Sequence, residues 1–239
     1  MFDRRVTVIT GHFGSGKTEI AVNGALDLAA KGADVAIVDL DVVKPYFRTR
    51  SAREWLARAG VRLVAPEGEN IHADLPIVVP EVRAILGDPS ARVVVDAGGD
   101  DTGARVLGSL ADVLPRGPDT EHLLVLNFRR PFTEGPDQAV AAAREIQAAA
   151  RLPFTGIVSN THLMGETTPE VVEAGYSMAE ETGRALGLPV VAVVVAEETR
   201  PLVRDEAFRC RVVTIRRVLR PAFDATSRQR KTGPLFVLN

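Results

Sequence analysis

The chain reads as an α/β fold: a mostly parallel sheet flanked by helices on both faces. Short runs of β-branched residues alternate with longer alanine- and leucine-rich stretches from the N-terminus to about residue 200. The short runs are apolar throughout instead of alternating with polar residues, as strands covered on both faces are. Right-handed βαβ crossovers then account for the order of the elements. At 239 residues the chain suits a single domain, 1–239, with a less regular C-terminal extension at about 204–239.

Val6 to Thr10 is β-branched at every position and reads as a buried strand. Lys17 to Lys31 reads as a helix, and Val35 to Val38 as the next strand. Arg50 to Ala59 is helical and stops at Gly60. Val61 to Val64 is a short strand, followed by a helix over 79–86 that begins at Pro80. Arg92 to Val95 is a strand and Ala104 to Leu114 a helix. Leu123 to Leu126, Phe154 to Val158 and Val190 to Val195 are strands, separated by helices over 138–150 and 170–186. Val212 to Ile215 is a candidate last strand in the less regular extension.

Composition excludes several classes. Hydrophobic residues are 46% and charged residues 25%, ordinary for a globular chain and unlike a disordered one. The 29 basic and 31 acidic residues leave a net charge of −2, so no general attraction to nucleic acid or to a membrane surface is expected. The single cysteine, Cys210, rules out an intrachain disulfide and a CxxC site, and predicts a cytoplasmic protein. No apolar run approaches a membrane span, and residues 1–5 carry no signal-peptide pattern. Only four lysines are present, at 17, 31, 44 and 231, which makes the first of them conspicuous.

Lys17 belongs to Gly11-His12-Phe13-Gly14-Ser15-Gly16-Lys17-Thr18, a match to G-x-x-x-x-G-K-[ST], the P-loop. An apolar strand precedes it and a helix follows, as the motif requires. Glycines let the backbone wrap a phosphate with N–H groups turned inward, and the helix N-terminus adds positive potential. Residues 11–18 together with Glu19 are therefore the expected nucleotide-binding segment. Lys17 would act catalytically on the β- and γ-phosphates, and Thr18 would ligate Mg²⁺. A dinucleotide-binding loop is excluded, since G-x-G-x-x-G is absent.

Two further segments end in acidic residues. Val38-Asp39-Leu40-Asp41 closes the second strand, and its two carboxylates, two residues apart, share a strand face. Val93-Val94-Val95-Asp96-Ala97-Gly98-Gly99 has the form of a Walker B strand. Asp96 would hold a magnesium-bound water, and Gly98 and Gly99 would approach a γ-phosphate as a switch.

GHFGSGKT, VAIVDLDVV, VVVDAGG and VSNTH together resemble the MinD/ParA/CobQ-like, SIMIBI-class branch of P-loop ATPases over about residues 5–200. The resemblance implies that Asp39 supports Mg²⁺, that Asp41 orients the attacking water and that Asp96 is the Walker B aspartate. It implies that Asn160 reads the adenine edge, and the absence of N-K-x-D at Asn160-Thr161-His162-Leu163 favours ATP over GTP. The loop over 197–201 would cover the other side of the base. Many members carry a second lysine just after the first glycine, which reaches across a dimer. Here that position is His12, shorter and without a lysine's fixed charge. A homodimer, where one forms, is expected to use another surface.

The expected activity is slow, Mg-dependent ATP hydrolysis that switches conformation toward a protein client. One alternative is an ATP-dependent ligase or kinase acting on a small carboxylate, with Arg48, Arg50, Arg129 and Arg130 as a substrate clamp. Arg129 and Arg130 read equally as partners of surface carboxylates. A nucleotide-binding scaffold without turnover is the other alternative. Tyr46, Phe47, Arg48 and Arg50 occupy the switch position beyond Asp41, as a partner surface or as core. His72, His122 and His162 show no ligand spacing, and no metal site beyond Mg²⁺ is expected.

Overall fold

The valine-rich strands order themselves by burial. We describe the protein from a computed structural model, which describes residues 1–40, 52–65, 75–99, 101–115 and 117–219. β1 (Val6–Thr10) is buried at all five positions and stands between two other strands. β2 (Val35–Asp39), β3 (Arg62–Val64), β4 (Arg92–Asp96), β5 (Thr120–Leu126), β6 (Gly156–Ser159), β7 (Val190–Ala196) and β8 (Arg211–Ile215) complete an eight-stranded sheet. Its order is β3-β2-β4-β1-β5-β6-β7-β8, and every pairing between neighbours is parallel. The expected α/β architecture is therefore present. Val212 to Ile215 forms the core of β8, so the first part of the irregular extension belongs to the sheet.

Six helices cover the sheet among the described residues: α1 (Lys17–Ala30), α2 (Arg53–Arg58), α3 (Leu75–Gly87), α4 (Asp101–Ser109), α5 (Pro136–Ala150) and α6 (Pro169–Leu186). Alternate strand residues feed two apolar layers. Ile9, Ile37, Val94, Leu123 and Val125 pack with Ile20, Ala21 and Leu28 of α1 and Leu56 of α2. Val8, Val38, Val95, Leu124 and Leu126 pack on the other side with Val82, Leu107, Ile146 and Ala179 of α3 to α6. This two-sided burial is why the strands lack polar alternation.

Two expectations about helices need correction. α3 starts at Leu75, not at Pro80, and Pro80 lies inside it. Proline lacks only its own N–H and obstructs the carbonyl four residues back, so five preceding residues still form a helical turn ahead of it. The helix expected over 104–114 ends at Ser109 and gives way to turns. Among the described residues no helix is long and apolar enough to cross a membrane.

His122 lies buried within the sheet. Its Nδ1–H donates to the Leu152 carbonyl (3.2 Å), and the Thr10 hydroxyl donates to Nε2 (2.9 Å). Its ring stacks on Phe154 with centroids 4.1 Å apart. Burial pushes its pKa down from 6.5 to about 4. A folded-state value below the unfolded one means that the stabilising contribution is present above pH 6.5 and is lost as pH falls toward 4. The loss amounts to about 3 kcal/mol over that window. Urea midpoints of the wild type should fall faster between pH 7 and 4.5 than those of His122→Gln; parallel declines would exclude this role.

Candidate functional site

Parallel strands bring their carboxyl ends to one edge, and the chain reverses direction across the sheet around β1. Ligand crevices form at such a point. The loop from β1 to α1 lies there. Gly14 (φ 76°) and Gly16 (φ 87°) adopt left-handed backbone that residues with a Cβ resist, and Gly16 is the residue that opens α1. The Ser15 N–H closes the loop onto the His12 carbonyl at 3.1 Å. Ser15, Lys17 and Thr18 are buried, and the Ser15 hydroxyl has no hydrogen-bond partner.

Two carboxylates lie on the β4 side of β1. Asp39 and Asp96 are paired in register at the ends of β2 and β4, and both are buried. Their neighbours of the same parity, Ile37 and Val94, face α1, so both strand positions face the helix that begins with Lys17 and Thr18. Two adjacent buried carboxylates call for positive charge beside them. An all-oxygen set of two carboxylates and one hydroxyl suits Mg²⁺, which takes few protein ligands and keeps water and phosphate oxygens. No group of three or more His, Cys, Asp or Glu side chains that would enclose a metal exists among the described residues.

The backbone after β4 is pressed against the loop. A Cβ on Gly99 would collide with the Gly11 carbonyl and stand 3.0 Å from the His12 nitrogen. One on Gly103 would strike Gly98. Of the two glycines expected to act as a switch, Gly99 is thus pressed against the phosphate loop itself. Gly11 is equally confined: its Cα faces the Val125 carbonyl and the Ser15 hydroxyl.

Residues from β5 and β6 support the opposite side of the loop. Asn160 is buried and donates its amide N–H to the Ser15 carbonyl at 2.7 Å. Arg130 donates from Nε to the Gly14 carbonyl at 3.1 Å, a partner that a reading of surface ion pairs misses. His162 stands beside them. Its Nδ1 accepts the Met164 N–H at 3.3 Å, which leaves the ring proton on Nε2. Burial, then the Arg130 and Arg217 guanidiniums, hold its pKa down to about 4. Asn127, also buried, joins the two loops by accepting the Arg129 N–H (3.0 Å) and the His162 N–H (3.4 Å) on one oxygen.

His12 and Phe13 sit at the loop's outer lip. The His12 ring leans on Phe132 with centroids 5.6 Å apart, and Phe13 and Phe132 are both exposed. Glu19 needs a correction: its side chain turns away from the loop. The carboxylate accepts the Val218 N–H and the Leu219 N–H (3.2 Å), and burial raises its pKa. Asn23, one turn on, exchanges two hydrogen bonds of 2.9 Å with the Arg216 backbone. The side chain of Glu197, in the loop expected over the base, is paired with Arg216 at 3.1 Å. Asp41, Tyr46, Phe47, Arg48, Arg50, His72 and the tail from 220 onward lie outside the described residues.

Fold and loop together are those of a P-loop NTPase fold, a parallel sheet with the glycine-rich loop between β1 and α1. The family described as ATPase MipZ matches residues 4–114, a little under half of the chain. Among solved structures, FtsY from Mycoplasma mycoides is similar at 22% identity and a TM-score of 0.56, over 87% of this chain and 66% of that one. FtsY from Elizabethkingia anophelis in complex with GDP is similar at 21% identity and a TM-score of 0.50, over 80% of this chain and 56% of that one. FlhF complexed with GTP and Mg²⁺ gives 13% identity and a TM-score of 0.50, over 78% and 64%. The chain spans about 60% of the length of the FtsY structures it resembles. No curated protein matches its sequence.

Proposed function

We propose that the protein binds Mg·ATP, hydrolyses it slowly and uses the nucleotide-bound state as a switch toward a protein client. The observation that carries this reading is the buried, in-register pair Asp39 and Asp96 beside the P-loop, with Gly99 in backbone contact with Gly11. Mg²⁺, when bound, would offset the negative charge that develops on the phosphates during transfer. Thr18, Asp39 and Asp96 would hold it, the last two through water. Lys17 would draw the β- and γ-phosphates into the loop, and the turned-in N–H groups of residues 14–18 would fix them. Asp41 would orient the attacking water. Loss of the γ-phosphate would be felt first at Gly99, whose backbone already touches the loop, and through it at Gly98.

The relatives divide over the base: the family description reads ATPase, whereas one of the FtsY structures was captured with GDP and one of the FlhF structures with GTP. The choice of ATP for this chain rests on residues 160–163. Guanine offers two ring-edge donors, which a carboxylate accepts, and Leu163 stands where N-K-x-D has its aspartate.

Phosphate release with Mg·ATP tests the proposal, and Asp41→Asn sharpens it. The variant should keep ATP binding and lose turnover by roughly ten- to a thousandfold, the range of general-base effects. Wild-type turnover in the variant would move the water-orienting role to another residue.

A further inference from the structure

Arg130 is the one guanidinium among the described residues that donates to the phosphate loop. Its aliphatic stem lies along the bare Cα of Gly14, where a Cβ would meet Arg130 Cδ at 3.2 Å and Nε at 3.4 Å. No carboxylate among the described residues pairs with it. A partly buried arginine held against a loop that binds an anion, and not neutralised by an acid, has a ligand-facing use to be found.

Topology says which part of the ligand it faces. Asp39 and Asp96, the cation end of the site, come from β2 and β4 on one side of β1. Arg130, Asn160 and His162 follow β5 and β6 on the other side. A phosphate chain whose terminal group meets the carboxylates must therefore leave the loop toward β5 and β6. The backbone gives the same answer. N–H groups of a P-loop point into the phosphate nest, so its carbonyls point out. Arg130 is on the Gly14 carbonyl and Asn160 on the next one, Ser15. Both side chains stand on the outer rim, with the His162 Nε2 3.9 Å from where a Cβ on Gly16 would be.

The rim is built in advance. Thr133 holds the Arg130 carbonyl through its N–H and its hydroxyl, each at 3.3 Å, and the same hydroxyl reaches the Asn127 carbonyl at 3.0 Å. Asn127 in turn ties this loop to the one that carries His162. The turn is closed by Phe132 at φ 66°, a left-handed position that a bulky side chain occupies only when its surroundings impose it.

Resting on the nucleotide reading above, we propose that Arg130 is the nucleoside wall of the site: Nε anchors it to the Gly14 carbonyl, and its guanidinium plane and Nη donors face the base and ribose. A planar cation stacks on any aromatic base, so Arg130 supplies affinity without base choice, which is left to Asn160 and its neighbours. It acts on the nucleoside and not on the phosphates.

Calorimetry with three probes in Mg²⁺ separates these parts: ATP, ADP and inorganic tripolyphosphate. Arg130→Ala should weaken ATP and ADP by the same factor, about tenfold, and leave tripolyphosphate binding unchanged. GTP should weaken by the factor seen with ATP, and Arg130→Lys should recover only part of the loss because it has no plane. Loss of ATP alone would place the residue on the γ-phosphate and overturn the proposal. An equal loss of tripolyphosphate would reduce it to a strut for the loop, and unchanged ATP affinity would remove it from the site; both overturn the proposal while the nucleotide reading stands. A wild-type protein that binds neither ATP nor ADP overturns both.

Discussion

Lys17→Ala is expected to abolish tight nucleotide binding. The lysine is buried at the start of α1, in the turn whose N–H groups face the phosphates. It carries the fixed positive charge nearest the β- and γ-positions in a P-loop. Each charge-assisted hydrogen bond it makes is worth about 1.5–3 kcal/mol, so the loss of two corresponds to at least a hundredfold in affinity. The fold does not depend on it in the same way, since α1 is seated by Ile20, Ala21, Val22, Ala25 and Leu28. Calorimetry should therefore find ATP binding gone in a variant whose nucleotide-free melting temperature is within a few degrees of the wild type. Unchanged ATP affinity would sink the assignment of the loop.

Gly99→Ala is expected to be nearly as damaging, for a steric reason. Its Cβ would enter the Gly11 carbonyl, and both groups are backbone, so no rotamer relieves the clash. Either the segment after β4 or the phosphate loop has to shift, and overpacking of this kind costs about 1–3 kcal/mol of stability. A shift of an ångström in a preorganised phosphate nest costs on the order of a hundredfold in turnover. Gly87→Ala is the control: a Cβ there meets nothing within 4 Å and lies far from the loop in α3. Both variants are read by ATP affinity, phosphate release and melting temperature. A Gly99→Ala protein with wild-type values in all three would show that the contact is not needed.

What could be read from the residues was local. The P-loop, its strand and the acidic strand ends announce themselves within eight or ten consecutive residues, and β2, β4 and β7 are built on unbroken apolar runs because both faces are covered. The pairing of Asp39 with Asp96 is a matter of register between strands that are far apart in sequence, and no local pattern encodes it. The same holds for the hydrogen bond from Arg130 to Gly14, which spans 116 residues, and from Asn160 to Ser15, which spans 145. Glu19 was grouped with the loop because it is adjacent to Thr18. Its side chain answers instead to a segment 199 residues later. His122 shows no ligand spacing because its partners are a hydroxyl, a carbonyl and a ring. Pro80 looks like a helix start in the sequence because proline suits the first turn, but α3 forms an earlier turn that does not need that N–H.

The attachment of Glu19 to residues 218 and 219 has a consequence for the order in which the protein is made. The phosphate loop and the start of α1 are synthesised 199 residues ahead of the N–H groups that this carboxylate needs. At 5–20 residues per second the interval is roughly 10–40 s. Throughout it, the first turn of α1 can form, but burying Glu19 would strand an acid without its donors, so the turn stays open to water. Contacts of such long sequence separation close last. The turn that begins with Lys17 and Thr18 therefore gains its last partners only when β8 has joined the sheet and the strand's end has crossed back over α1. A nascent chain thus holds the complete phosphate-loop motif well before the turn beside it has all of its partners.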